Sequence, residues 1–406
     1  MTTALLITNV RPWGAETTDV LLSGGVIVAV GAEVATHPSA PTAEILDGEN
    51  RLLVPSFSDT HVHLDSTRLG LPFRPYSGEP GRDGRIYNDR ANWRSAEKSV
   101  SERATYTLER MIAHGATRVR SHAQVDADSG LEKFAGVLAA REAYADRADV
   151  EIVVFPQVGI HREPGVPELM SEALRSGGNL VGGIDPCEID RDPVRHLNTV
   201  FELAERHGAG ADIHLHEAGL LGLFSMDLIC ERVRALSMQG QVSISHAPAL
   251  GSGLPQVDRA LEQIAELDIA ITHIAPSGGG WVLPLERMAA AGIRVGLGMD
   301  GQRDYWSPYG NADMLDRTWQ LAFVQNYNRD DQIENALELA TWGGARVINR
   351  ELSAAGTGRP GVAVGDPAEL VLIPGETPTS AVMDRPALGR VVIHAGRVVA
   401  RDGELC

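Results

Sequence analysis

Lysine is almost missing from this chain of 406 residues: of its 36 basic residues only Lys98 and Lys133 are lysines. Cysteine is nearly as scarce. Cys187, Cys230 and Cys406 stand far apart and form no C-x-x-C pair, which excludes a disulfide scaffold and predicts reduced thiols in a cytoplasmic protein. No apolar run reaches about 18 residues, so no membrane span is expected. The first residues, MTTALLITNVRPWGAE, lack the basic and long apolar regions of a secretory signal. Positive charge is short overall, with 54 acidic residues against 36 basic for a net charge of −18. Such a surface repels a phosphate backbone, so no nucleic-acid partner is expected. What remains is 43% hydrophobic and 22% charged, a chain able to bury a sizeable core.

The two ends share a plan. VLLSGGVIVAVG is two β-rich runs split at Gly24-Gly25, and VVIHAGRVVARDG repeats that plan around Ala395-Gly396. Two such hairpins predict a small β-structure built from both termini, at 1–54 and 351–406; two separate hairpins capping one domain are the alternative. Between them, over 55–350, eight short apolar runs alternate with helix-length amphipathic stretches: LVPSFSDTHVH, TRVRSHAQ, EIVVFPQ, NLVGGIDP, GADIHLHE, QVSISHA, IAITHIAP and IRVGLGMD. Strand alternating with helix predicts parallel βαβ units, and eight units predict an α/β fold of the (β/α)8 TIM-barrel kind. A doubly wound open sheet is the runner-up, disfavoured because no G-x-G-x-x-G follows the first strand.

Each run begins apolar and finishes polar, at His63, His122, Gln157, Asp185, His214, His246, His273 or Asp300. In a barrel these are C-terminal strand ends, the face where active sites are built. His61-Val62-His63 places two imidazoles on one face of a strand, where both can reach one ion. His214, His246 and Asp300 converge on the same mouth, and imidazoles with a carboxylate suit Zn²⁺ or a similar divalent ion.

These motifs together, PSFSDTHVHLD, FPQVGI, HLHE, SHA and GMDGQRDYWSPYGNADML, with a terminal GDPAELVLI, resemble the amidohydrolase superfamily and its cytosine deaminase-like branch. The resemblance implies a metal-bearing barrel flanked by a small β-sandwich from both termini. It implies His61, His63, His214 and Asp300 as ligands of one divalent ion per chain, Zn²⁺ or alternatively Fe²⁺. It further implies Glu217, in H-x-x-E, as catalytic acid/base and His246 as the residue assisting the attacking water. Gln157 and Trp306 match substrate-pocket positions. His216 shares parity with His214 and either lines the pocket or is structural. Asp304 either touches substrate or braces the Asp300 loop, and His122, His273 and Asp185 either touch substrate or bond the barrel rim. His37, His114, His161, His196, His207 and His394 are expected at the surface.

The implied activity is hydrolytic release of ammonia or an amine from a small aminated N-heterocycle of the pyrimidine, triazine, purine or pterin kind, by a homo-oligomer. Cytosine-hydrolysing members usually carry a second acid directly after the ligand Asp. Here that place is Gly301, whose missing side chain is expected to open space beside Asp300. DGQRDYWSPYGNADM and VGGIDP also resemble N-isopropylammelide amidohydrolase, although Glu217 stands where that enzyme is expected to have Asp. A cyclic-amide hydrolase of the dihydropyrimidinase kind is the alternative. It would bridge two metals through a carboxylated lysine on the fourth strand, where NLVGGIDP has none. Lys98 and Lys133 fall in polar, helix-like stretches away from any strand end.

Overall fold

The computed structural model describes residues 4–74, 78–275, 282–352 and 359–406; Pro276, which ends the seventh run, lies outside them. Five strands come first: β1 (Leu5–Pro12), β2 (Thr18–Ser23), β3 (Val26–Val30), β4 (Glu44–Asp47) and β5 (Leu52–Pro55). Eight follow: β6 (Phe57–Val62), β7 (Ala116–Gln124), β8 (Asp149–Phe155), β9 (Leu180–Ile184), β10 (Gly210–Leu215), β11 (Val242–His246), β12 (Ala270–Ile274) and β13 (Val295–Gly298). The last four are β14 (Leu370–Ile373), β15 (Val391–His394), β16 (Arg397–Arg401) and β17 (Glu404–Leu405).

The ends of the chain meet in one mixed sheet of order β17-β16-β15-β14-β5-β1-β2-β3, with β4 on β1. The joint is the antiparallel pair β5/β14, where Val54 faces Val371. Both glycine-centred hairpins form, β2/β3 across Gly24-Gly25 and β15/β16 across Ala395-Gly396. Gly24, Gly25 and Gly396 all have positive φ, the freedom these turns require.

The eight apolar runs become β6 to β13, parallel and in sequence order. Strands buried on both faces need continuous apolar stretches, which is why these runs do not alternate. The barrel closes between β13 and β6: the Asp300 N–H donates to the His61 carbonyl at 2.7 Å, and Thr60 Oγ1 donates to the Leu297 carbonyl at 3.1 Å. Gly298 makes this seam possible, since a Cβ there would lie 2.6 Å from His61 Cβ. Amphipathic helices cover the outside. Val100–Ala113 starts from a capping box in which the Ser99 hydroxyl accepts from Glu102 N and Glu102 reaches back to Ser99 N. Among the described residues no helix is long and apolar enough to cross a membrane.

Three sequence expectations fail here. His196 is buried, its Nδ1 2.7 Å from Asp190, and His394 is buried with Nδ1 3.0 Å from Glu369. Both were expected at the surface, but a carboxylate partner lets an imidazole leave water. Lys133 is fully buried, with Nζ against Asp89 and against Gln124 at the end of β7. Its helix carries polar residues, yet the lysine itself turns inward.

Candidate active site at the C-terminal mouth of the barrel

His61 ends its strand's inner face, His63 follows it, His214 lies on β10, and Asp300 follows β13. Asp300 Oδ1 stands 3.3 Å from His63 Nε2 and 3.6 Å from His61 Nε2, and His63 Nε2 stands 3.3 Å from His214 Nε2. Four ligands around one Zn²⁺ at about 2.0–2.1 Å are spaced by about 3.4 Å. Two groups of described residues each gather within 4.8 Å, His61, His63, His122 and His214 in one and His61, His246 and Asp300 in the other, so this mouth could hold a divalent ion. His61 Nε2 is buried with no hydrogen-bond partner, an orphan that an ion would satisfy. His63 and His214 are kept neutral, as ligation needs: burial lowers His63 to about 4 and takes His214 well below its ordinary value. Burial pushes the Asp300 carboxyl upward, but the closeness of His61, His246 and His63 outweighs it and holds the carboxyl well below its ordinary value.

A layer beneath orients these ligands. His61 Nδ1 lies 3.0 Å from Ser245 Oγ, which donates to Asp212 Oδ1 at 2.7 Å, and Arg120 Nη1 donates to Asp212 Oδ2 at 3.0 Å. A partner on Nδ1 leaves Nε2 for a ligand. His122 belongs to this centre as well: it is fully buried and clusters with His61, His63 and His214 within 4.8 Å. Its Nε2 is 3.7 Å from Asp212. Sequence reasoning offered His122 only substrate contact or the rim, and it missed Asp212 and Ser245. The parity of Asp212 with His214 on β10 was the available signal.

Site residues sit in strained backbone. Asp185, His246 and Asp300 have φ of 34°, 71° and 61°, conformations that non-glycine residues avoid. At His246 this turn swings the ring across the mouth, 4.0 Å from that of His216.

A cavity of about 80 Å³ opens onto the ligands, lined among others by His216, His246, Gln157, Asp304 and Trp306. His216 thus does line the pocket, its Nδ1 2.8 Å from the buried Asp185 carboxylate. Burial would raise Asp185, but His216 and Arg82 keep it below its ordinary value. Asp304 braces its loop and also lines the cavity. Its Oδ1 accepts the N–H groups of Trp306 and Ser307, each at 2.8 Å, bracing the loop, while its carboxyl faces the cavity. Burial raises Asp304 to about 7. The space expected beside Gly301 does not exist: a Cβ at 301 would fall 2.1 Å from Asp304 Oδ2. Trp306 Nε1 is buried without a partner, a donor left for a ligand. His273 is buried with Nε2 unpartnered and lies outside the cavity lining.

Glu217 is not brought to this cavity. Its Oε1 accepts the N–H groups of Cys187 at 2.7 Å and Glu188 at 2.9 Å, and its Oε2 accepts the Ser225 hydroxyl. Burial raises its carboxyl. In this arrangement Glu217 anchors the 187–188 turn.

Comparisons with known proteins show the family. The model of the amidohydrolase family matches residues 44–400. The crystal structure of N-isopropylammelide isopropylaminohydrolase from Burkholderia multivorans superposes with a TM-score of 0.90 and 36% identity over 100% of both chains. N-isopropylammelide isopropyl amidohydrolase from Pseudomonas sp. (strain ADP) is 27% identical over 95% of this chain and 94% of that protein. A 5-methylcytosine deaminase from Klebsiella pneumoniae liganded with phosphonocytosine has a TM-score of 0.80 and 26% identity over 98% of each chain. The chain belongs to the amidohydrolase family, on its cytosine deaminase-like branch, and is a hydrolase acting on carbon–nitrogen bonds.

Proposed function

We propose that this enzyme hydrolyses the exocyclic C–N bond of an aminated single-ring N-heterocycle, a triazine or pyrimidine, and releases ammonia or an alkylamine. The observation that carries this reading is the small cavity lying directly over the His61, His63, His214 and Asp300 donor set. Its lining of Phe155, Trp306 and Gln157 suits a flat, polar-edged ring. The relatives named N-isopropylammelide isopropylaminohydrolase and 5-methylcytosine deaminase support it.

One divalent ion, Zn²⁺ or Fe²⁺, would be held by those four side chains; when bound it brings the pKa of a water down to about 7 and makes it a nucleophile. The chain's own residues do the rest. Trp306 Nε1 offers a donor to a ring acceptor, and Gln157 meets the ring edge. His246 and Asp304 face the cavity and hold or move protons. The water oxygen bonds to the ring carbon and the exocyclic C–N bond breaks. One of the water's protons ends on the departing amine and the other on the adjacent ring nitrogen, and the carbon keeps the oxygen as a carbonyl.

The test is a panel under one metal loading: aminated triazines, including N-isopropylammelide, and aminopyrimidines against pterins, purines and hydantoins. Amine release from a single-ring member should head the panel. Hydantoin ring opening as the fastest reaction would overturn the reading.

A further inference from the structure

In a chain that uses arginine for nearly all its positive charge, one of two lysines is fully buried behind the pocket. Lys133 Nζ donates to Asp89 Oδ2 at 2.5 Å and to Gln124 Oε1 at 2.6 Å, with the Trp93 ring centroid 5.3 Å away. A compact ammonium fits this slot where a planar guanidinium fork would not. Asp89 comes from the helix Arg82–Asn92, whose Ile86 packs with Phe155, Ile184 and Trp306 in the pocket wall. The same Asp89 Oδ2 lies 3.4 Å from Gln157 Nε2.

Donor and acceptor parity runs through this chain of groups. Asp126 takes the Gln124 NH₂, so Gln124 presents its carbonyl to Lys133. An ammonium only donates and a carboxylate only accepts. Asp89 therefore draws the NH₂ of Gln157 backward, and the Gln157 carbonyl is the end left for a ligand. Lys133 opposes the upward push of burial on the Asp89 carboxyl and so helps keep it an acceptor.

We propose that Asp89, held by Lys133, is a positioning residue that turns the Gln157 carbonyl toward the substrate and selects rings with an N–H at that edge. This rests on the reading of Gln157 as a ring contact. The main test is a double-mutant cycle on N-isopropylammelide turnover. Replacing the ion pair by apolar residues of similar volume, Asp89→Leu with Lys133→Met, is compatible with folding. It should raise KM at least tenfold with kcat within threefold, yet add less than twofold in a Gln157→Ala background. Asp89→Asn, which can keep an acceptor oxygen in place, should stay within threefold of wild type. An equal KM change in both backgrounds would mean a merely structural role and overturn the proposal. An independent readout needs neither turnover nor the paired variant. In wild-type protein the Gln157 side-chain NH₂ proton signals, assigned by their loss in Gln157→Ala, should exchange slowly with solvent. Fast exchange would overturn the proposal. Slow exchange in a protein inactive on the whole panel would sustain it while the functional reading fails.

Discussion

Asp304 occupies the space that a side chain on Gly301 would need, with its Oδ2 2.1 Å and its Cγ 2.8 Å from a Cβ built there. The place beside Asp300 is thus filled by a carboxyl group from three residues beyond Gly301, on a loop that bends back on itself. Glycine at 301 makes that bend possible.

Gly301→Asp should therefore damage the site instead of converting it to cytosine. Overpacking of this kind costs about 1–3 kcal/mol. The variant should melt lower and lose at least tenfold in kcat/KM on the best substrate. Wild-type activity and melting in the single variant would contradict the crowding.

Metal analysis of the purified protein should find about one divalent ion per chain. His61→Ala should lose that ion and the extra thermal stability that bound metal confers on the native state. Two tightly held ions, both needed for turnover, would require another ligand set.

Asp304→Asn and Glu217→Gln separate two accounts of proton transfer. Asn retains an acceptor for the Trp306 and Ser307 amides but cannot carry a proton, so kcat should fall by about 10²–10⁴ with metal retained. Glu217→Gln turns an amide toward groups that now donate to a carboxylate, and should cost about 1–3 kcal/mol in stability. Loss of turnover in Glu217→Gln with folding and metal content intact would show that Glu217 leaves its anchor to reach the ring.

The raised proton affinity of Asp304 also predicts a pH trend. Between about 4 and 7 the native state holds a proton at this position that the unfolded chain has released. At this position alone stability therefore declines as pH rises through that window, against the rise that buried neutral imidazoles such as His63 contribute. Urea unfolding at a series of pH values should show the stability of Asp304→Asn gaining on that of wild type as pH rises from about 4 to 7. Identical slopes would place that proton elsewhere.

The barrel was legible because its signal is local and repeated. Runs such as EIVVFPQ and QVSISHA are apolar strands ending in polar residues, and parity along a strand puts His61 and His63 together before any contact is known. The hairpins at Gly24-Gly25 and Ala395-Gly396 were legible because backbone geometry there demands glycine. His122, Asp212 and Ser245 were missed as a group because their relation runs between β7, β10 and β11, and spacing within one strand says nothing of its neighbours. His196 and His394 read as surface residues because their carboxylate partners, Asp190 and Glu369, become neighbours only through packing.

By itself, then, the sequence determined the order of the elements, the face that bears the chemistry and the types of ligand gathered there, since strand periodicity and turn chemistry act over a few residues. Only the tertiary structure decided which polar group meets which. It turned Glu217 toward the 187–188 turn, filled the gap beside Gly301 with Asp304, and buried Lys133 behind Gln157. Those outcomes depend on the competition of several donors for one acceptor and on space shared between loops, and both exist only once the strands have closed into a barrel.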